Sequence, residues 1–247
     1  MIPIKSEEDL KMLKESGKIL SKIMRRMEKL VRTGVSTIEI DQLAEKLIRD
    51  ERVESAFKGY NGFPANICTS INEEVVHGIP GKKVLKNGDI ISLDLGINYK
   101  GYLTDAAITL PVGRIDSRLK KLIDATRNAL SEGIKQAQIN HHLSDISYTI
   151  QTNVEKDGFS VVRQFVGHGI GHSLHEEPQI PNFGVPNQGE LLRKGMVLAI
   201  EPMVNMGTWE CDILDNGWTA VTKDGLPSAH FEHTVAITEK GPQILTN

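Results

Sequence analysis

The chain has 247 residues, enough for one large core or two tightly joined ones. Its formal charge of −3 leaves no electrostatic footprint for nucleic acid, and two cysteines are too few for a disulfide framework. With no secretory leader at Met1 and no apolar run of about 18 residues, the reading is a soluble cytoplasmic protein without a membrane partner.

The first predicted helix opens at Ser6, with Asp9 placed for a capping box. Leu10, Leu13, Gly17, Leu20, Met24, Met27 and Val31 then alternate steps of three and four. Ile19, Ile23 and Leu30 widen this stripe and Gly17 interrupts it, so a core-packed helix is expected rather than a coiled coil. A second helix follows at about Thr37–Asp50. Strand-like runs cover about Ile67–Ile71, Ile90–Ile97 and Tyr102–Leu110. Two more helices are expected, at about Asp116–Gln138 and Ser144–Lys156, the latter stopping at Gly158. Strands return at about Val161–Val166, Val197–Val204, Thr219–Thr222 and His230–Thr238.

The order helix, helix, strands thus occurs twice. Glu39-Ile40 and Asp145-Ile146 hold similar places in the second helix of each set. No low-complexity linker separates the sets, so a single α+β domain is expected over residues 1–247, with halves at about 1–112 and 113–247.

The richest segment is V-G-H-G-I-G-H-S-L-H-E-E-P, Val166 to Pro178. Gly167, Gly169 and Gly171 each cost a helix up to about 1 kcal/mol, so His168 is delivered by irregular or extended backbone, not by a helix face. Asp94, Asp105, Glu201 and Glu232 each interrupt an otherwise apolar, strand-like run. A four-residue turn at Asn98–Gly101 would set Asp94 directly opposite Asp105. Two carboxylates about 4 Å apart at an effective dielectric near 20 repel by about 4 kcal/mol. Either they point to solvent or they share a cation. Glu201 and Glu232 have few local cations to pair with; only Arg193 and Lys194 come close in sequence. Asp, Asp, His, Glu and Glu without a thiolate suit hard or borderline divalent metals such as Mn, Fe, Co or Zn. Cys68 and Cys211 lack C-x-x-C spacing and read as buried or pocket residues.

Taken together, Asn72–Pro80 (N-E-E-V-V-H-G-I-P), the Asp94…Asp105 hairpin, G-H-G-I-G…H-E-E-P, Ala199–Met203 and His230–Thr234 resemble the type I, bacterial-like methionine aminopeptidases over essentially the whole chain. The resemblance implies a pita-bread fold, two pseudosymmetric halves around a central antiparallel sheet flanked by helices. It implies two divalent metal ions per chain, with Asp105 and Glu232 bridging them, Asp94 on one and His168 with Glu201 on the other. Four carboxylates and two divalent cations then cancel in charge. His77 and His175 would contact substrate, and Glu201 would also shuttle protons. Tyr60, Phe63, Cys68, Leu174 and Trp218 would line the pocket for the methionine side chain; Phe63 and Leu174 depart from the tyrosine and the aromatic common there. Position 172 is more often arginine in that family, and His172 is expected to serve at the surface or outside the metal shell. Thr104 stands where a glycine is commoner.

The activity implied is removal of the initiator methionine from nascent polypeptides, probed near the ribosome by a monomer, with a small second residue preferred. A type II enzyme would carry an inserted helical segment between His168 and Glu201, for which there is no room. The alternatives are a Pro-specific pita-bread peptidase, which usually has a large extra N-terminal domain, and a non-catalytic binding protein of the same fold. Retention of all five ligand types speaks against the second.

Overall fold

Local sequence signals set the helices of the computed structural model, which describes residues 2–247. Helix α1 spans Glu7–Glu28, and at its start Ser6 and Asp9 satisfy each other's backbone amides. It ends one turn before the expected Val31. Gly17 explains the interrupted stripe: a Cβ there would fall 2.2 Å from the carbonyl oxygen of Leu245, so α1 packs against the chain's own C-terminal strand region. Helix α2 runs Thr37–Asp50, α3 Ser117–Gln136 and α4 Leu143–Glu155. One apolar cluster packs α1 and α2 on the strands of the first half, through residues such as Leu20, Ile40, Leu47, Ile91 and Leu93. Another packs α3 and α4 on the second half, through Leu122, Leu130, Ile150, Leu198 and Val235.

The two halves repeat one construction. In the first, Leu85 donates to Val35 O at 2.8 Å, Gly34 donates back to Leu85 O at 2.9 Å, and a turn leads into the strand Ile90–Tyr99. In the second, Leu192 donates to His141 O at 2.8 Å, Asn140 donates back to Leu192 O at 3.0 Å, and a turn leads into Val197–Ile200. Glu39 and Asp145 each accept from the backbone amide that begins their helix, so the similarity of Glu39-Ile40 and Asp145-Ile146 is one of capping.

Ile90–Tyr99 pairs antiparallel with Cys68–Ile71 on one side and Tyr102–Pro111 on the other. The second half contributes a five-stranded sheet in which Val197–Ile200 lies between Gly167–Gly169 and His233–Thr238. The two sheets meet along Tyr102–Pro111. There Glu232 N donates to Ala107 O at 2.9 Å, the Thr234 hydroxyl bridges the backbone of Asp105, and the Thr109 hydroxyl bridges that of His230.

Three sequence expectations need correction. The hairpin turns at two residues, Lys100 and Gly101, not four; both take left-handed backbone (φ 55 and 86), the signature of a tight turn matched to strand twist. Asp94 therefore faces Ala107 and Asp105 faces Gly96, which makes the two aspartates diagonal neighbours on one face. The runs expected as single strands at 197–204 and 230–238 are each broken, into Val197–Ile200 and Met203–Asn205, and into Ser228–His230 and His233–Thr238. Glu201 and Glu232 occupy those breaks. Pro202 has no amide to continue a ladder, and Glu232 spends its amide on the other sheet. The run expected at 161–166 pairs only at Ser160–Val161.

Candidate active site

Register brings the first two acids to the site. Cys68, Asp94 and Ala107 stand abreast on three neighbouring strands, and Asp105 lies one pleat further along. Opposite Asp105, Gly96 leaves room for an aromatic ring: a Cβ there would sit 2.8 Å from Cε1 of Phe57. The meeting of the sheets then lays Glu232 beside Ala107, and the strand Gly167–Gly169 brings in His168, paired to Ala199 two residues before Glu201.

All candidate residues named from the sequence converge on one cavity of about 230 Å³. Asp94, Asp105, His168, Glu201 and Glu232 line it with His77 and His175, and Tyr60, Phe63, Cys68, Leu174 and Trp218 line it with Phe57 and Asn61. The last two escaped the sequence reading. Phe57 had a signal in Gly96, a glycine in mid-strand that marks the close approach of another group. Asn61 sits in a short turn with left-handed backbone (φ 48) and had none. A wider groove of about 720 Å³ between α1 and α3 reaches Glu232 from behind but gathers no comparable set of donors.

Ligand atoms of Asp105, His168 and Glu232 all lie within 4.8 Å of one another. His168 Nδ1 donates to Gly169 O at 2.9 Å, which fixes the tautomer and leaves Nε2 as a bare lone pair. That lone pair faces Glu201 Oε1 at 3.5 Å. Burial and mutual repulsion push the carboxyls of Asp94, Glu201 and Glu232 well above their ordinary range, and burial raises Asp105 to about 7. Burial also lowers His168 to about 4. Asp94 Oδ1 and Glu232 Oε1 are buried with no hydrogen-bond partner. Four acids, a lone pair and two orphaned oxygens are costly together unless cations lie among them. The residues fit a divalent metal: the donors are oxygen and imidazole nitrogen, and unsatisfied atoms point into one space.

Other groups frame this cluster. His175 stands at the exposed mouth, its Nδ1 hydrogen-bonded to the Tyr60 hydroxyl at 2.7 Å and its ring 4.4 Å from that of His168. His77 has left-handed backbone (φ 59), and burial holds its imidazole near 4, so it is neutral at physiological pH. Its ring lies edge-on to Phe165 at 5.6 Å and to Trp218 at 6.5 Å, and Trp218 meets Phe63 at 5.1 Å. Phe63, Cys68 and Leu174 are buried, giving an apolar wall beside the acids. His172 lies outside the cavity, exposed, with Nε2 3.5 Å from Asp9. Thr104, where a glycine is commoner, is fully buried and bonds Ser16 at 2.8 Å, so its hydroxyl ties the hairpin to α1.

Such a fold around such a cluster defines a metallopeptidase, and the chain belongs to metallopeptidase family M24, which it matches over residues 11–239. It is 51% identical over 246 residues to methionine aminopeptidase 1 of Bacillus subtilis, covering 100% of this chain and 99% of that one. The crystal structure of methionine aminopeptidase from Thermotoga maritima superposes with a TM-score of 0.98 at 48% identity, covering 100% of both chains. Xaa-Pro dipeptidase from Bacillus anthracis shares the fold alone: TM-score 0.78, 22% identity, with 62% of its length covered.

Proposed function

We propose that this chain is a metal-dependent aminopeptidase that removes the N-terminal methionine of new polypeptides and prefers a small second residue. One observation carries the reading: full-length similarity at about half identity to methionine aminopeptidases, in a chain whose acids and apolar wall line one cavity. The runner-up, a Pro-specific peptidase, is favoured only by fold-level likeness.

Asp94, Asp105, His168, Glu201 and Glu232 would hold two divalent ions. Bound there, the ions supply a water acidic enough to be the nucleophile at neutral pH and polarise the scissile carbonyl. The protein's own groups do the rest. Asp105 and Glu232, whose ligand atoms lie within 4.8 Å of each other across the meeting of the sheets, would hold the metal from both halves. Glu201 has the position to take a proton from the nucleophile and deliver it to the leaving amine. His175, open to the cavity mouth and oriented by Tyr60, donates to the oxygen that gains charge in the tetrahedral transition state. His77, kept neutral by burial, orients the peptide beside Trp218. Phe63, Cys68, Leu174 and Trp218 take the methionine side chain, whose thioether adapts to an irregular apolar slot. The free α-amino group of the substrate would bind the metal held beside Asp94, which makes the activity that of an exopeptidase.

The substrate is an exposed peptide N-terminus, met as it leaves the ribosome, and the working unit is a monomer. Among the described residues no helix is long and apolar enough to cross a membrane. Metal-dependent release of methionine from Met-Ala-Ser tests the reading, with Leu-Ala-Ser and Ala-Pro as controls. Faster cleavage of either control would move the chain to another pita-bread specificity.

A further inference from the structure

Glu176 follows His175 in the H-E-E-P run, yet it does not line the cavity. Its Oε1 accepts from the backbone amides of His172 at 2.7 Å and Ser173 at 3.1 Å, and its Oε2 meets Lys5 Nζ at 2.5 Å. Lys5 is 5% exposed, an unusual state for a lysine. Its backbone amide donates to Gly195 O at 2.8 Å, which ties the N-terminal segment to the turn before Val197–Ile200. The Lys5 side chain also covers Gly171, where a Cβ would fall 2.3 Å from Lys5 Cε. Gly171 O in turn accepts from Leu103 N at 2.7 Å, in the strand that carries Asp105. Loop 171–176 is thus held at its base from three directions, and it carries Leu174 and His175 into the cavity.

A buried ion pair of this kind adds little net stability, since apolar replacements of similar volume are often neutral or better. Geometry is what it supplies. We infer that Lys5 and Glu176 are positioning residues, a buried pair that fixes loop 171–176 so that His175 meets the reacting group. The inference rests on the proposed role of His175. The pair acts through the loop and touches no substrate.

Three variants of the full chain separate positioning from stabilisation. Lys5→Met leaves Glu176 buried without its counter-ion, and its melting temperature falls. The double variant Lys5→Met/Glu176→Gln removes both charges and keeps an oxygen for the two amides, so its melting temperature returns toward the parent's. Its kcat for methionine release from Met-Ala-Ser nevertheless stays about 10–100-fold below the parent's, the scale of a small misplacement at the reacting centre. KM and metal content stay near the parent's. In a His175→Ala background the same double substitution costs little more, because both changes act through one group.

Recovery of kcat together with melting temperature would show a purely stabilising pair, and so would the same fold-loss with His175 already gone. Hydrogen exchange covers a double variant that folds poorly: Lys5→Met is expected to lose protection at the His172 and Ser173 amides, and retained protection overturns the inference. A parent chain that released no methionine at all would instead sink the functional reading, and the exchange result would still decide whether the pair pins the loop.

Discussion

The two halves deliver their acids by different means. Asp94 and Asp105 sit inside unbroken ten-residue strands, and a two-residue turn sets their relation. Glu201 and Glu232 sit where strands stop, one before Pro202 and one with its amide bonded to Ala107 of the other sheet. A register can be shifted by a change in the turn, whereas a break is held by its own neighbours. The first half therefore supplies a rigid ruler and the second supplies groups that bend in to meet it.

The largest expected effect comes from the acids at the meeting point. Asp105→Ala or Glu232→Ala should reduce metal content and bring methionine release to the metal-free background, measured by elemental analysis and a peptide assay. Loss confined to one of these two would break their equivalence across the halves. Stripping metal from the parent with chelator should abolish release and lower the melting temperature; restoring metal at 100 times its dissociation constant returns about 2.7 kcal/mol. Full activity in a chelated, dialysed sample would end the metal reading.

His175→Ala should lower kcat by roughly 10²–10³ while metal content stays near the parent's, as expected for a donor to the transition state. Loss of metal in that variant would place His175 among the ligands instead. The ruler itself is tested at its turn. Gly101→Val puts a branched side chain at φ 86, and should cost about 1–2 kcal/mol or more in denaturant unfolding. Unchanged stability would mean the two-residue turn is not what fixes the hairpin.

The smallest effect is a pH dependence at the start of α4. Partial burial raises the Asp145 carboxyl, but the amides of Asn187 and His142 outweigh this and bring it below the usual range. A depressed carboxyl contributes stability above its unfolded pKa and loses it as pH falls through the folded value. The gap in melting temperature between the parent and Asp145→Asn should therefore shrink from about pH 6 to about pH 3. A constant gap would mean the contact does not depend on charge.

The helices were legible in the sequence because their signals are local: Ser6 with Asp9, and the stripe from Leu10 to Met27. That these acids gather in one cavity was legible because acids in apolar runs are chemically out of place. The hairpin register was not, since it depends on Lys100 adopting left-handed backbone, which a lysine does not advertise. The strand breaks were hidden for another reason. Apolar patterning runs straight through Glu201 and Glu232, and the bonds that divert the chain are made to residues distant in sequence. Lys5 was illegible because a lysine near a terminus reads as solvated, and only the fold reveals its burial against Glu176.

The sheets meet largely through the hydroxyls of Thr109 and Thr234 and the pairing of Ala107 with Glu232, with no long ladder between them. The connection from Pro111 to α3 passes over the surface at Gly113 and Arg114. Cutting there would yield one fragment holding Asp94 and Asp105 and another holding His168, Glu201 and Glu232. Neither fragment has a complete donor set, so co-expressed pieces, joined also by the pairing of Glu74–Val76 with Ala220–Thr222 and by Lys5 with Glu176, should regain peptidase activity only when divalent metal unites their donors, and metal should tighten their association.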